Sequence, residues 1–156
     1  MTLTPQSNKA YVLIINSLGF TALDNAFELT SLDAKYFEEN ETIDLRDAIQ
    51  LVKNVNRYSY TPNWPTIFGR HLGIATHGPV GYAAVSAPTI GKALSTFVEW
   101  FHIRSECYTS KIIEHDDTFE IRIVDTSGDT SFKEFFFEAF MKSFEVLIAL
   151  LLGRPP

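Results

Sequence analysis

HGPVGYAAVSAPTIGKAL, residues 77–94, carries three glycines, two prolines, a histidine, a tyrosine and a Gly-Lys pair ahead of an apolar run. Such a stretch is either a phosphate-binding loop or a turn that starts a helix. A Walker A loop requires GxxxxGK[ST], because its glycines free backbone amides for phosphate and its hydroxyl ligates magnesium. Here Ala93 follows Gly91-Lys92, and Ser86 stands where the first glycine should be. GIATHGPVG, residues 73–81, also misses the GxGxxG spacing and follows no predicted strand. The helix-start reading fits better. Pro88 holds Ala87 extended, Thr89 is a good N-cap, and Ala93 and Leu94 open an apolar stripe. Gly78 and Gly81 permit turns or close helix contacts.

Working outward, Ala93, Leu94, Phe97, Val98 and Phe101 share one side of a helix predicted over 90–103. Phe119, Ile121 and Ile123 then alternate with Glu120 and Arg122, the period of a half-buried strand. Residues 106–113 are its expected partner across the polar turn 114–117. A last helix is predicted over 131–152, with Glu134, Glu138, Lys142 and Glu145 as its solvated edge. Upstream, the first sixty residues read as helical throughout. Tyr11, Ile14, Ile15 and Leu18 keep helical spacing and Gly19 supplies a stop; shorter segments surround Phe27 and Leu29, and Tyr36 and Phe37. Asp44 is placed to cap a helix whose stripe is Leu45, Ala48, Ile49, Val52 and Val55. TPNWPTIFGRHLG, residues 61–73, frames a short helix near 65–72. The expected fold is α+β: predominantly helical, with a small antiparallel hairpin and a long apolar C-terminal helix, as one domain over 1–156.

Composition narrows the function. With 46% hydrophobic residues in 156, the chain can bury a single real core. A net charge of -6 leaves no clustered Lys and Arg to grip a phosphate backbone. The lone Cys107 rules out an internal disulfide and fits a reducing compartment. The longest apolar run, Val146–Leu152, falls short of the roughly 18 residues of a membrane span, and the N-terminus does not read as a signal peptide. These features point to the cytoplasm.

No chemical motif survives inspection. His71, His77, His102 and His115 form neither HxxxH nor HExxH, so neither a metal site nor a cofactor is expected. Ser86 lacks a GxSxG elbow and Cys107 has no activating neighbour in SECYTS. The pairs Glu38-Glu39 and Asp116-Asp117 read as solvated. No catalytic residue, and no enzyme, is expected.

Residues 72–104, LGIATHGPVGYAAVSAPTIGKALSTFVEWFHIR, are similar to the central signature of the N-terminal, arabinose-binding-like domain of AraC/XylS-type transcription regulators. Gly78, Gly81, Tyr82, Pro88, Thr89, Ala93 and Leu94 match position by position, with Ile90 for the usual Leu. FGRHLG, 68–73, resembles the element that precedes this signature, and LLGRP, 151–155, the segment after the long helix. Lys92 departs from the pattern, in place of the common acidic residue. The resemblance implies the effector-sensing and dimerising part of a regulator, binding a small molecule, with DNA reached only through a C-terminal helix-turn-helix domain outside this sequence. The apolar ending VLIALLLGRPP is expected to be covered by further polypeptide or by a second subunit. Candidate effector contacts are Trp64, His71, Tyr82, Trp100, His102 and Arg104. Arg104 can fork onto an anionic group and the Trp rings can wall a pocket, although each also has an ordinary structural role. The alternative function is a dimerisation or partner-docking domain without a ligand.

Overall fold

The computed structural model describes residues 5–7, 11–12, 23–59 and 61–154. Capping side chains explain where several of its helices begin. Asp33 accepts from Tyr36 N at 2.7 Å, Thr89 from Lys92 N at 3.1 Å, and Asp129 from Phe132 N at 3.0 Å. Each satisfies a backbone donor that the first helical turn leaves free. The elements run β1 Pro5–Ser7, α1 Leu23–Ala26, α2 Ala34–Glu39, β2 Thr42–Asp44, α3 Leu45–Tyr58 and α4 Trp64–His71. They continue through a 3-10 turn Ile74–His77, α5 Gly78–Val85, α6 Ile90–Glu99, a second 3-10 turn Phe101–Ile103, β3 Tyr108–Glu114, β4 Phe119–Asp125 and α7 Thr130–Leu151.

The α+β class holds, and the departures from the expected elements have local causes. The first sixty residues are not all helical, because β1 pairs antiparallel with β2 from Pro5↔Asp44 to Ser7↔Thr42. Strands of three residues are too short to show a period in sequence. Asp44 ends β2, and although it precedes α3 its carboxylate makes no capping bond there. Of the expected first helix, Tyr11 and Val12 are helical; Ile14, Ile15, Leu18 and Gly19 lie outside the described residues. α1 stops before Phe27, and Leu29 sits at φ 59° with 82% of its surface exposed. Asn54 of α3 fixes that turn by donating to the carbonyls of Ala26 and Glu28, at 2.9 and 2.7 Å.

The hairpin forms as expected, its first strand running over Tyr108–Glu114 rather than 106–113. β3 and β4 pair from Tyr108↔Asp125 to Glu114↔Phe119, and His115 N closes the turn onto the Thr118 carbonyl at 2.9 Å. Segment 78–85 is a helix rather than a bare turn, with Pro79 preset in its first turn. The helix from Ile90 ends at Glu99 and tightens into the 3-10 turn, which brings Arg104 round behind Phe101.

α7 is the axis of the core. Phe132, Phe135, Phe140, Phe144 and Leu147 are buried along it, each such side chain contributing about 1.5–3 kcal/mol. α4 lies directly against it, and Gly69 makes that approach possible. A Cβ at Gly69 would stand 2.3 Å from the Ala139 carbonyl oxygen, so any side chain there would push the helices apart. α7 ends where its glycine allows. Gly153 at φ 64° lets Arg154 N reach the Ala149 carbonyl at 2.8 Å while its own N–H reaches Leu150 at 3.0 Å, a Schellman closure. Among the described residues, no helix is long and apolar enough to cross a membrane.

Candidate functional site

The helical period of α7 sets Phe132, Phe135, Phe136, Ala139, Phe140 and Ser143 on one side, where they wall a cavity of about 80 Å³. Phe68 and Leu72 from the end of α4, Phe97 of α6 and Phe101 close the apolar part. The rings pack on one another, with Phe101 edge-on to Phe140 at 5.1 Å and Phe97 edge-on to Phe144 at 5.2 Å. Polar groups from four places in the chain meet this shell: Tyr11, His77, Arg104 and Ser105, with Ser143 on α7 itself.

Arg104 is the charged member. Its Nη1 donates to the Thr76 carbonyl and lies 3.4 Å from His77 Nδ1. A guanidinium has no acceptor, so His77 Nδ1 must accept here. The ring proton then sits on Nε2, which donates to Ser143 Oγ at a long 3.4 Å. Phe97 holds the imidazole edge-on at 4.7 Å. Burial first, and then the Arg104 charge, push the His77 pKa down to about 4, against a weaker pull from the Leu72 backbone. The ring is therefore neutral at pH 7. Burial also lowers the pKa of Arg104, while Tyr11 opposes the shift. Burial raises the Tyr11 hydroxyl well above the ordinary tyrosine value; Cys107 adds to this and Arg104 opposes it. Tyr108 Oη is fully buried without a hydrogen bond of ordinary geometry, and burial again pushes its pKa up, against a weak effect from Ser127.

A second cavity of about 130 Å³ lies across the His77–Ser143 contact, lined by Gly73, Ile74, Gly81 and the Val146–Leu150 end of α7. His77, Phe97 and Ser143 border both spaces, so this contact is the partition between them. Gly81 lets the 3-10 turn carrying His77 fold back on α5, since a Cβ there would meet the Ile74 carbonyl oxygen at 2.3 Å.

The six residues named from sequence fall in different places. Arg104 lines the cavity. Trp64 is buried behind its wall, stacked on Phe135 at 4.7 Å, with Nε1 donating to Asn56 at 2.7 Å. His71 is exposed at the end of α4 with Nδ1 2.8 Å from the Ile67 carbonyl. His102 is exposed beside the Glu99 carbonyl at 2.9 Å, and Tyr82 and Trp100 are 59% and 47% exposed. Sequence reasoning did not name His77, Tyr11, Ser105 or Ser143 for this site. His77 was visible in the opening stretch, but its enclosure depends on α7, more than sixty residues away. Among the described residues, no group of His, Cys, Asp and Glu is arranged to hold a metal ion.

The model of the arabinose-binding domain of AraC transcription regulators, N-terminal, matches residues 21–156. The chain belongs to this family. The resemblance read from residues 72–104 therefore extends over most of the sequence. A relative, the ornithine utilization regulator of Pseudomonas aeruginosa, is 23% identical over 116 residues, covering 74% of this chain and 34% of its own length. The chain thus spans about a third of that regulator. Within the AraC-type domain the signature glycines have structural work. Gly78 takes φ 59° at the start of α5, and Gly81 makes the close contact below it. Thr89 caps α6, and Ala93 and Leu94 are buried beneath it.

Proposed function

We propose that this AraC-type domain senses a small molecule held in the cavity between α4, α6 and α7, and so controls transcription by the regulator it belongs to. The observation that carries this reading is the Arg104 guanidinium facing an otherwise aromatic enclosure with no acidic partner among the described residues. A half-buried cation without a counter-charge is costly, and groups perturbed in this way cluster at functional sites. One wall is α7, so a ligand there bears on the helix that runs to Leu151. It shifts the regulator between states only by its difference in affinity for them. DNA contact belongs to a helix-turn-helix unit outside this sequence, in keeping with the acidic balance of this chain. Acting on DNA places the domain in the cytoplasm, and this reading gives it no catalytic role.

The test is a thermal-shift screen of sugars, amino acids and carboxylic acids on the native chain and on Ser143→Met, which fills the space beside His77. The expected result is a compound class that raises the native Tm and leaves the variant unmoved. A shift of equal size in both proteins, or none with any class, refutes the reading.

A second role in self-association is favoured by Met141, Leu150 and Leu152, which α7 and its cap leave exposed. The exposed leucines would pack in a homodimer, and sedimentation equilibrium checks it. A monomer at high micromolar concentration removes this role without touching the cavity.

A further inference from the structure

We propose that the cavity beneath Arg104 is shaped for a small monocarboxylate with a short alkyl tail and no amino group. This deepens the sensor reading above and rests on it. The charge count leads. Among the described residues that line the cavity, Arg104 carries the only full charge at neutral pH, since His77 stays neutral. The Thr76 carbonyl engages Nη1, while Nε and Nη2 have no hydrogen-bond partner among the described residues. A monoanion balances one guanidinium, and the planar fork matches a carboxylate. A dianion such as phosphate would leave a net charge in an apolar enclosure, at a large desolvation cost.

The same inventory excludes an ammonium group. No lining carboxylate is present to receive it among the described residues, and Arg104 would repel it. A free amino acid therefore fits badly. Size sets the tail. An engineered apolar cavity of about 150 Å³ accepts a six-carbon benzene ring. On that scale 80 Å³ of aromatic-walled space suits a tail of about three carbons. Tyr11 borders the cavity and adds a hydroxyl donor for the second carboxylate oxygen.

Isothermal titration of the native chain with butyrate, butyramide and 2-aminobutyrate isolates the two features, since the three share one carbon skeleton. Butyrate is expected to bind at least about tenfold more tightly than either analogue, the scale of a charge-assisted hydrogen-bond pair. Arg104→Gln, checked for folding by circular dichroism, should lose a similar factor, and Arg104→Lys should regain part of it. Butyramide binding as well as butyrate, or 2-aminobutyrate binding better, overturns the carboxylate assignment and leaves the sensor reading standing. So does failure of all three while some other compound class shifts the native Tm but not that of Ser143→Met. Failure of all three with no shift from any class removes both readings.

Discussion

Where α4 meets α7, Gly69 lies so near Ala139 that a Cβ would stand 2.3 Å from its carbonyl oxygen, whereas Arg104 faces the same helix across a cavity of about 80 Å³. Both regions join the same helix to signature segments of the chain. The first has the density of a finished core, where even a methyl group is excluded. The second brings a cation, a neutral imidazole and two serines up to phenylalanine rings and leaves the gap open. A domain that packs one contact of a helix so closely can fill its neighbour, and a gap kept with a charge at its rim suits the ligand proposed above better than poor packing.

The contrast is open to mutation. Widening the open side is expected to do most harm, because Phe140 touches Phe97, Phe101, Phe136 and Phe144. Phe140→Ala should cost about 3–5 kcal/mol, measured by urea unfolding. A cost below about 1 kcal/mol would mean that the ring network is not the core. On the closed side, Gly69→Ala should lower stability by roughly 2–4 kcal/mol, or Tm by about 5–10 °C, although alanine is the better helix former. A rise in Tm would show that α4 can retreat from α7 at no cost.

pH sharpens the comparison, since the His77 imidazole borders the cavity. The folded-state pKa of His77, about 4, lies below its ordinary value of 6.5, so the unfolded chain binds the proton more readily. Its contribution is complete above pH 6.5 and is lost progressively as pH falls toward 4, by about 2 kcal/mol once partial exposure is discounted. Unfolding midpoints at pH 7 and pH 4.5 should differ more for the native chain than for His77→Gln. An equal difference in both would place the imidazole in water. The smallest effect is expected at Arg104. Arg104→Met should leave stability within about 1 kcal/mol, because losing the Thr76 contact is offset by removing an unpaired charge. A loss of several kcal/mol would make Arg104 a structural residue instead.

Elements with local signals were readable from the sequence. Thr89 caps the helix that follows it, and the alternation from Phe119 gave β4. The β1–β2 pair was not readable, because three residues carry no period and their pairing spans most of the first forty positions. Gly81 was legible as a turn or close helix contact, but only the packing shows that the Ile74 carbonyl meets it and that α7 meets Gly69. For the site, Arg104 was legible as a cation at the end of an apolar helix. His77 and Ser143 were not, because a histidine and a serine sixty-six residues apart acquire meaning only when the helices carrying them meet.

The most direct test is a crystal structure of the chain grown with the compound that gives the largest thermal shift. The account expects that molecule between Arg104 and the rings of Phe136 and Phe140, its anionic group on the guanidinium and the His77–Ser143 partition at its side. The same molecule bound elsewhere, over a cavity closed by its own phenylalanines, would contradict it.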